Sequence, residues 1–232
     1  MRYENIVEGE FIQRPNRFVA LVEIRGEVRK AHVKNTGRCR ELLLPGARVY
    51  LEDHLGRMGS RKLRYSLIAV WKGGLLVNMD SQAPNKVTAE ALTAGNIRLP
   101  GMETVEIVKA EQTFGNSRLD FYVEDDAGNR GYVEVKGVTL EEDGVALFPD
   151  APTLRGIKHL EELFRAREEG FFGYVLFIVQ MEGVKCFSPN DKTHKAFGDT
   201  LRFVSERVPV LAYGCRVERD ALQVGEEIPV IL

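Results

Sequence analysis

The segment Tyr132–Val138, YVEVKGV, constrains this chain most: it has the valine content of a buried strand yet carries Glu134 and Lys136 within it. Charged groups seldom enter a protein interior without partners, because desolvation disfavours the ionised form. A second strand-like run, Leu119–Val123, lies upstream, and the Glu-Asp-Asp-Ala-Gly-Asn-Arg stretch between them is turn chemistry, so the two read as a hairpin. Side chains alternate across a strand. Asp120 and Tyr122 should therefore take one face, with Leu119, Phe121 and Val123 on the other; Glu134 and Lys136 should share a face opposite Val133 and Val135. In a register that aligns the hairpin, Asp120, Glu134 and Lys136 converge.

Such a trio suits metal-assisted phosphodiester hydrolysis. Asp120 and Glu134 offer hard oxygens to Mg²⁺ or Mn²⁺, and Mg²⁺ is commonly held by one or two carboxylates while keeping several waters. The cation would polarise a phosphoryl oxygen and activate a water. Lys136 would orient that water and offset charge on the phosphate. The same residues could instead form an ordinary cross-strand pair on a solvated hairpin.

The rest of the chain indicates what carries this hairpin. With 232 residues, 44% hydrophobic and 28% charged, it can bury a core without staples and lacks the composition of a disordered chain. Three widely spaced cysteines, Cys39, Cys186 and Cys215, with no Cys-x-x-Cys, fit free thiols in a reducing compartment rather than a zinc site. The longest apolar run, Phe171–Val179, is too short for a bilayer and the first ten residues do not read as a signal peptide, so a cytoplasmic protein with no membrane partner is expected. Charge is divided: residues 1–80 hold 15 Lys/Arg against 9 Asp/Glu, and residues 81–232 hold 17 against 25. One part would grip a polyanion and the other collect carboxylates.

Arg17–Arg25 and Val28–Asn35 read as paired strands turning at Gly26, and Val49–Glu52, Leu63–Trp71 and Leu75–Met79 bring the count to about five, as in an OB-type barrel. Arg25, Arg29, Lys30, Lys34, Arg38 and Arg40 fall within sixteen residues that contain one acid, Glu27. Contacts from such a segment to a phosphate backbone carry no sequence information and weaken with salt. Asn35-Thr36-Gly37-Arg38 reads either as a phosphate nest or as a simple turn. Phe18, Tyr50, Tyr65 and Trp71 could stack on bases, although for most of them the alternating strand pattern favours a core position. The polar Ser81–Asn85 marks the boundary between a first domain, 1–82, and a second, 83–232.

In the second domain Lys86–Gly95 reads as a helix, Val145–Phe148 as a strand, Thr153–Glu169 as a helix, Tyr174–Met181 as a strand covered on both faces, Lys192–Arg207 as an amphipathic helix and Val208–Val217 as a last strand. This is a mixed α/β sheet flanked by helices. Gln180 could help position a metal-bound water or the lysine, or simply mark the strand's emergence. Arg155, Lys158 and His159 sit in the first turns of a helix, where cations oppose the macrodipole unless an anion docks there.

The segments NRFVALVEI, HVKNTGRCRELLLPGARVYL, FGNSRLDFYV, YVEVKGVTL, FPDAPTLRGIKHLEEL and VPVLAYGCRV, spread from Asn16 to Val217, resemble the sugar fermentation stimulation protein A family, within a pattern similar to the PD-(D/E)xK nuclease superfamily. The resemblance implies an N-terminal OB-like β-barrel, a restriction-endonuclease-like α/β domain and non-specific DNA binding. It points to Glu90, on the helix before the Asp120 strand, as a fourth site residue, with Glu111 a weaker competitor. Asp120, Glu134 and the Val135 carbonyl would hold Mg²⁺ or Mn²⁺, Lys136 would act on the nucleophile, and Lys34, Asn35, Arg38, Arg40, Arg155 and Lys158 would meet DNA. The alternatives are a non-catalytic DNA-binding regulator of sugar metabolism genes on a nuclease-like scaffold, and a sugar enzyme using Asp and Glu as acid and base. Oligomeric state stays open, a homo-oligomer included.

Overall fold

The computed structural model describes residues 1–35 and 37–232; Thr36 of the expected nest lies outside them. Strands β1 (Ile6–Asn16), β2 (Val19–Ile24), β3 (Glu27–Val33), β4 (Arg48–Asp53), β5 (Tyr65–Lys72) and β6 (Leu75–Asn78) form one sheet in the order β3-β2-β1-β4-β5-β6. Parallel pairing of β3 with β5, from Ala31↔Tyr65 to Val33↔Leu67, closes five of them into an OB-like barrel. The β2–β3 turn is tight because Arg25 (φ 53°) and Gly26 (φ 79°) are both left-handed, the geometry that matches the twist of the flanking strands.

The fifth barrel strand is β1, where the sequence pointed to Leu75–Met79. β6 pairs with β5 alone, outside the closure. β1 is hard to read because it serves two neighbours in turn: Ile6–Glu10 pairs with β4, and Glu10–Asn16 pairs with β2 through two register shifts. Only Phe11 of its residues is fully buried, so no alternation shows.

The second half holds a six-stranded mixed sheet, β15-β14-β12-β9-β8-β7, made of β7 (Val105–Phe114), β8 (Ser117–Asp125), β9 (Arg130–Val138), β12 (Phe172–Val179), β14 (Val210–Val217) and β15 (Leu222–Glu227). β12 runs parallel to both β9 and β14, and its FGYVLFIV sequence is apolar because both faces are covered. On one side α1 (Ala83–Thr93) packs Val87, Ala91 and Leu92 against Phe121, Val133, Val135 and Leu176. On the other, α2 (Leu154–Glu168) and α3 (Asp191–Ser205) pack Leu160, Leu163, Phe197 and Leu201 against Val175, Phe177 and Val179, in a core continuous with the barrel interior. A small sheet of β10 (Leu140–Glu142), β11 (Val145–Phe148) and β13 (Cys186–Pro189) lies beside it. No helix among the described residues is long and apolar enough to cross a membrane.

A polar network joins barrel and sheet. Lys34 pairs with the buried carboxylate of Asp80, and Ser81 Oγ donates to the Lys34 carbonyl. Gln180 Nε2 donates to Asn78 Oδ1 (2.9 Å) and to the Asp80 carbonyl (3.1 Å), and Asn78 Nδ2 donates to the Tyr3 hydroxyl (3.0 Å).

Candidate functional site

The hairpin is β8 turning into β9. The pairs Phe121↔Val133, Tyr122↔Tyr132, Val123↔Gly131 and Glu124↔Arg130 fix a register that brings Asp120 opposite Glu134 at the end of the paired segment. Simple alternation fails at Asp120. Leu119 packs in the α2-side core and Phe121 in the α1-side core, although two residues apart they should share a face. Across the neighbouring ladder, Glu111 sits between the pairs Ala110↔Phe121 and Gln112↔Leu119 with a left-handed φ of 56°, which bends the edge at this level. Asp120 therefore turns toward its neighbour strand. Its Oδ2 accepts from the Val135 N–H (2.8 Å) and its Oδ1 from Asn85 Nδ2 in the first turn of α1 (2.8 Å).

Glu134 is 2% exposed. Its Oε1 accepts from Lys136 Nζ on the same strand and faces His159 Nδ1 on α2. Arg155 Nε donates to His159 Nε2 (3.3 Å), so both contacts are met by an imidazole that carries its proton on Nδ1. Glu134 Oε2 is buried with no hydrogen-bond partner. A buried carboxylate oxygen left bare is disfavoured unless something with positive charge meets it.

The two carboxyl groups titrate in opposite directions. Burial pushes Glu134 up, but the His159 hydrogen bond and the Lys136 charge outweigh it and hold the group below the usual glutamate range. Burial, and next the Glu134 charge, push Asp120 above its ordinary value; the Val135 N–H, Lys136 and Asn85 offset this only in part. Two carboxylates that feel each other, one with a bare inward oxygen, form a donor set suited to a hard divalent cation. Among the described residues no group of three or more His, Cys, Asp or Glu side chains converges into a fuller cage. Such a cation would therefore rely on Asp120, Glu134, a main-chain carbonyl and water.

Not every expected residue joins the cluster. Glu90 is exposed and binds the Met1 ammonium at 2.6 Å; the α1 residue that reaches Asp120 is Asn85, one turn earlier and less evident because it is neutral. Glu111 pairs with Arg118 at the surface. Gln180 turns its Nε2 to Asn78 and Asp80, so that nitrogen supports the domain joint, while its Oε1 lies beside Gly137 and the side chain lines the cleft there. Lys34 is also removed from the expected DNA set, its side chain 10% exposed and held by Asp80. Asn35 folds its Oδ1 back onto the Gly37 N–H (2.8 Å).

Arg38 and Arg40 are exposed. Arg14, unremarked in the sequence, shapes their loop: Nη1 donates to the Gly37 and Arg38 carbonyls and Nη2 to those of Arg17 and Asn35, at 2.6–3.0 Å. Arg155 and Lys158 are exposed on the first turns of α2, Lys158 donating to the Asn116 carbonyl (2.7 Å). His159 was legible only as one of three cations; nothing in its spacing announced Glu134 as a partner.

Residues 12–79 match the SfsA N-terminal OB domain, and residues 82–221 match the sugar fermentation stimulation protein RE domain. Sugar fermentation stimulation protein homologs from Desulfitobacterium hafniense and Clostridium beijerinckii are 53% and 48% identical over 234 and 233 residues, covering 100% of this chain and 99% and 100% of theirs. The solved structure of Pyrococcus furiosus SfsA in complex with Ca²⁺ is 29% identical, with a TM-score of 0.88 over 100% of this chain and 98% of that one.

Proposed function

We infer a function from one premise, that this chain belongs to the sugar fermentation stimulation protein family: it binds DNA through backbone contacts and cleaves phosphodiesters at the Asp120/Glu134/Lys136 cluster with a divalent cation. The observation that carries the reading is the bare Oε2 of Glu134, buried beside a second carboxylate and a lysine. The Ca²⁺ held by the Pyrococcus relative supports a divalent ion in this family. Mg²⁺ or Mn²⁺ is the ion we propose here, held by Asp120, Glu134 and the Val135 carbonyl. When bound it supplies Lewis acidity and makes coordinated water acidic enough to attack at neutral pH.

The protein side chains divide the remaining work. His159 fixes one oxygen of Glu134 and leaves the other free to bind. Asn85 and the Val135 N–H hold Asp120 in place, so little reorganisation accompanies binding. Lys136, its side chain 14% exposed and paired with Glu134, would balance the charge that builds on an incoming phosphate. Arg155 and Lys158 would receive a neighbouring phosphate, and Arg38 and Arg40 the backbone further along.

The test is calorimetric and catalytic together. Mn²⁺ should give a heat of binding to the wild type that Glu134→Gln removes, and metal-loaded wild type should cut single-stranded, duplex or branched DNA faster than Asp120→Ala or Lys136→Ala. Binding heat without cleavage of any of these would favour the second reading, a non-catalytic DNA-binding regulator. That reading draws on the exclusion of Glu90 from the cluster, which leaves two carboxylates rather than three.

A further inference from the structure

The aromatic side chains of the barrel do not share one environment. Tyr50 and Tyr65 are buried at 6% and 8%, and Arg48 lies 4.8 Å from the Trp71 ring centroid, while Phe18 stands 50% exposed. Phe18 forms one wall of a cavity of about 340 Å³, completed by Val19, His32, Arg61, Lys62 and Leu63. The walls are apolar and the rim is cationic. Arg17 lies 5.9 Å from the Phe18 ring centroid, and none of Arg17, Arg61 and Lys62 enters an ion pair found among the described residues. His32, which also lines the cavity, is held below the usual histidine value by burial first and then by the charges of Arg61 and Lys34, with the Asp80 carboxylate opposing them.

We propose that this cavity receives one unpaired nucleobase stacked on Phe18, its flanking phosphates held by Arg17, Arg61 and Lys62, so that the preferred substrate is a single strand or a single-stranded tail. The proposal rests on the reading that the chain binds DNA. In a duplex each base face is already covered by its neighbours, whereas an unpaired base offers a flat apolar face with a phosphate on either side. A ring in an apolar notch with a cationic rim matches that pattern. Arg14 ties the carbonyl of Arg17 to those of Asn35, Gly37 and Arg38, and Asn35 in turn lines a second cleft with Ser81, Asp150 and Gly137, the residue after Lys136. A strand anchored at Phe18 would thus follow the Arg38 loop to the site.

The experiment is fluorescence anisotropy of the full chain with a labelled single strand and the matching duplex, across a salt series, for wild type, Phe18→Ala and Phe18→Trp. Loss of one stacked base weakens binding by roughly 5- to 150-fold. Phe18→Ala should therefore bind the single strand about fivefold or more weakly, leave duplex binding unchanged, and keep the wild-type slope of affinity against salt, since no charge is removed. Phe18→Trp should restore single-strand affinity. Phe18 is exposed, so an unchanged melting temperature is expected for both variants. Single-strand binding by Phe18→Ala within twofold of wild type, or failure of Phe18→Trp to restore a loss, would overturn the stacking site while leaving DNA binding intact. A wild type that binds neither DNA would remove both this proposal and the function on which it rests.

Discussion

Replacing Lys34 by methionine tests how the two halves of the molecule are joined. The Lys34 side chain is 10% exposed and that of Asp80 1% exposed, so the pair is almost dry. Deleting the cation leaves a carboxylate in the joint that keeps the Gln82 N–H (3.0 Å) on Oδ1 and the neutral Tyr3 hydroxyl beside it, with no positive charge in place of Lys34. Breaking a buried pair from one side destabilises by about 3–5 kcal/mol, because the remaining charge is uncompensated. Against a total of roughly 5–15 kcal/mol this is a large fraction. With a urea slope of about 2–3 kcal/mol/M, the midpoint should fall by about 1–2.5 M. The double variant Lys34→Met/Asp80→Asn removes both charges and should recover most of the loss. Urea unfolding followed by circular dichroism measures all three proteins. A single variant within about 1 kcal/mol of wild type, or a double variant no better than the single, would refute the reasoning.

Three further outcomes are expected. Asp120→Asn should raise the melting temperature at neutral pH, since a carboxyl whose folded pKa is raised destabilises the fold when ionised; the gain should shrink as pH falls through the folded pKa toward the unfolded value, and thermal melts between pH 7 and 4 would show whether it does. Arg38→Ala and Arg40→Ala should each reduce the salt slope of DNA binding by about 1, measured by anisotropy, while Lys34→Met should leave it unchanged. Gly37→Ala drives a Cβ into Asp150 Oδ2, so either that carboxylate or the loop must shift. DNA affinity should fall several-fold without a change in the Mn²⁺ binding heat, which calorimetry on the same sample would record.

How far the sequence reached depended on the range of the interaction. The β8–β9 hairpin and apolar β12 were legible because alternation and turn residues are local signals. Strand β1 was not, because its partners change along its length and its exposed positions are polar on both sides. Among site residues, Asp120, Glu134 and Lys136 come together through one short turn. Lys34 and Gln180 were assigned by residue type and position, and neither reveals a partner 46 or 102 residues away. Glu90 illustrates the opposite error: charge drew attention to it, while neutral Asn85 makes the contact. The oxygen left bare on Glu134 is a property of packing that no spacing of residue types encodes.

The change of side at Asp120 means that its two flanking neighbours are clamped in different compartments, Leu119 beneath α2 and Phe121 beneath α1. The aim of this carboxylate is thereby set by both helical layers at once, as a lever is set by two fulcrums. Loosening either layer, even far from the hairpin, should retune cation affinity without touching a single ligand.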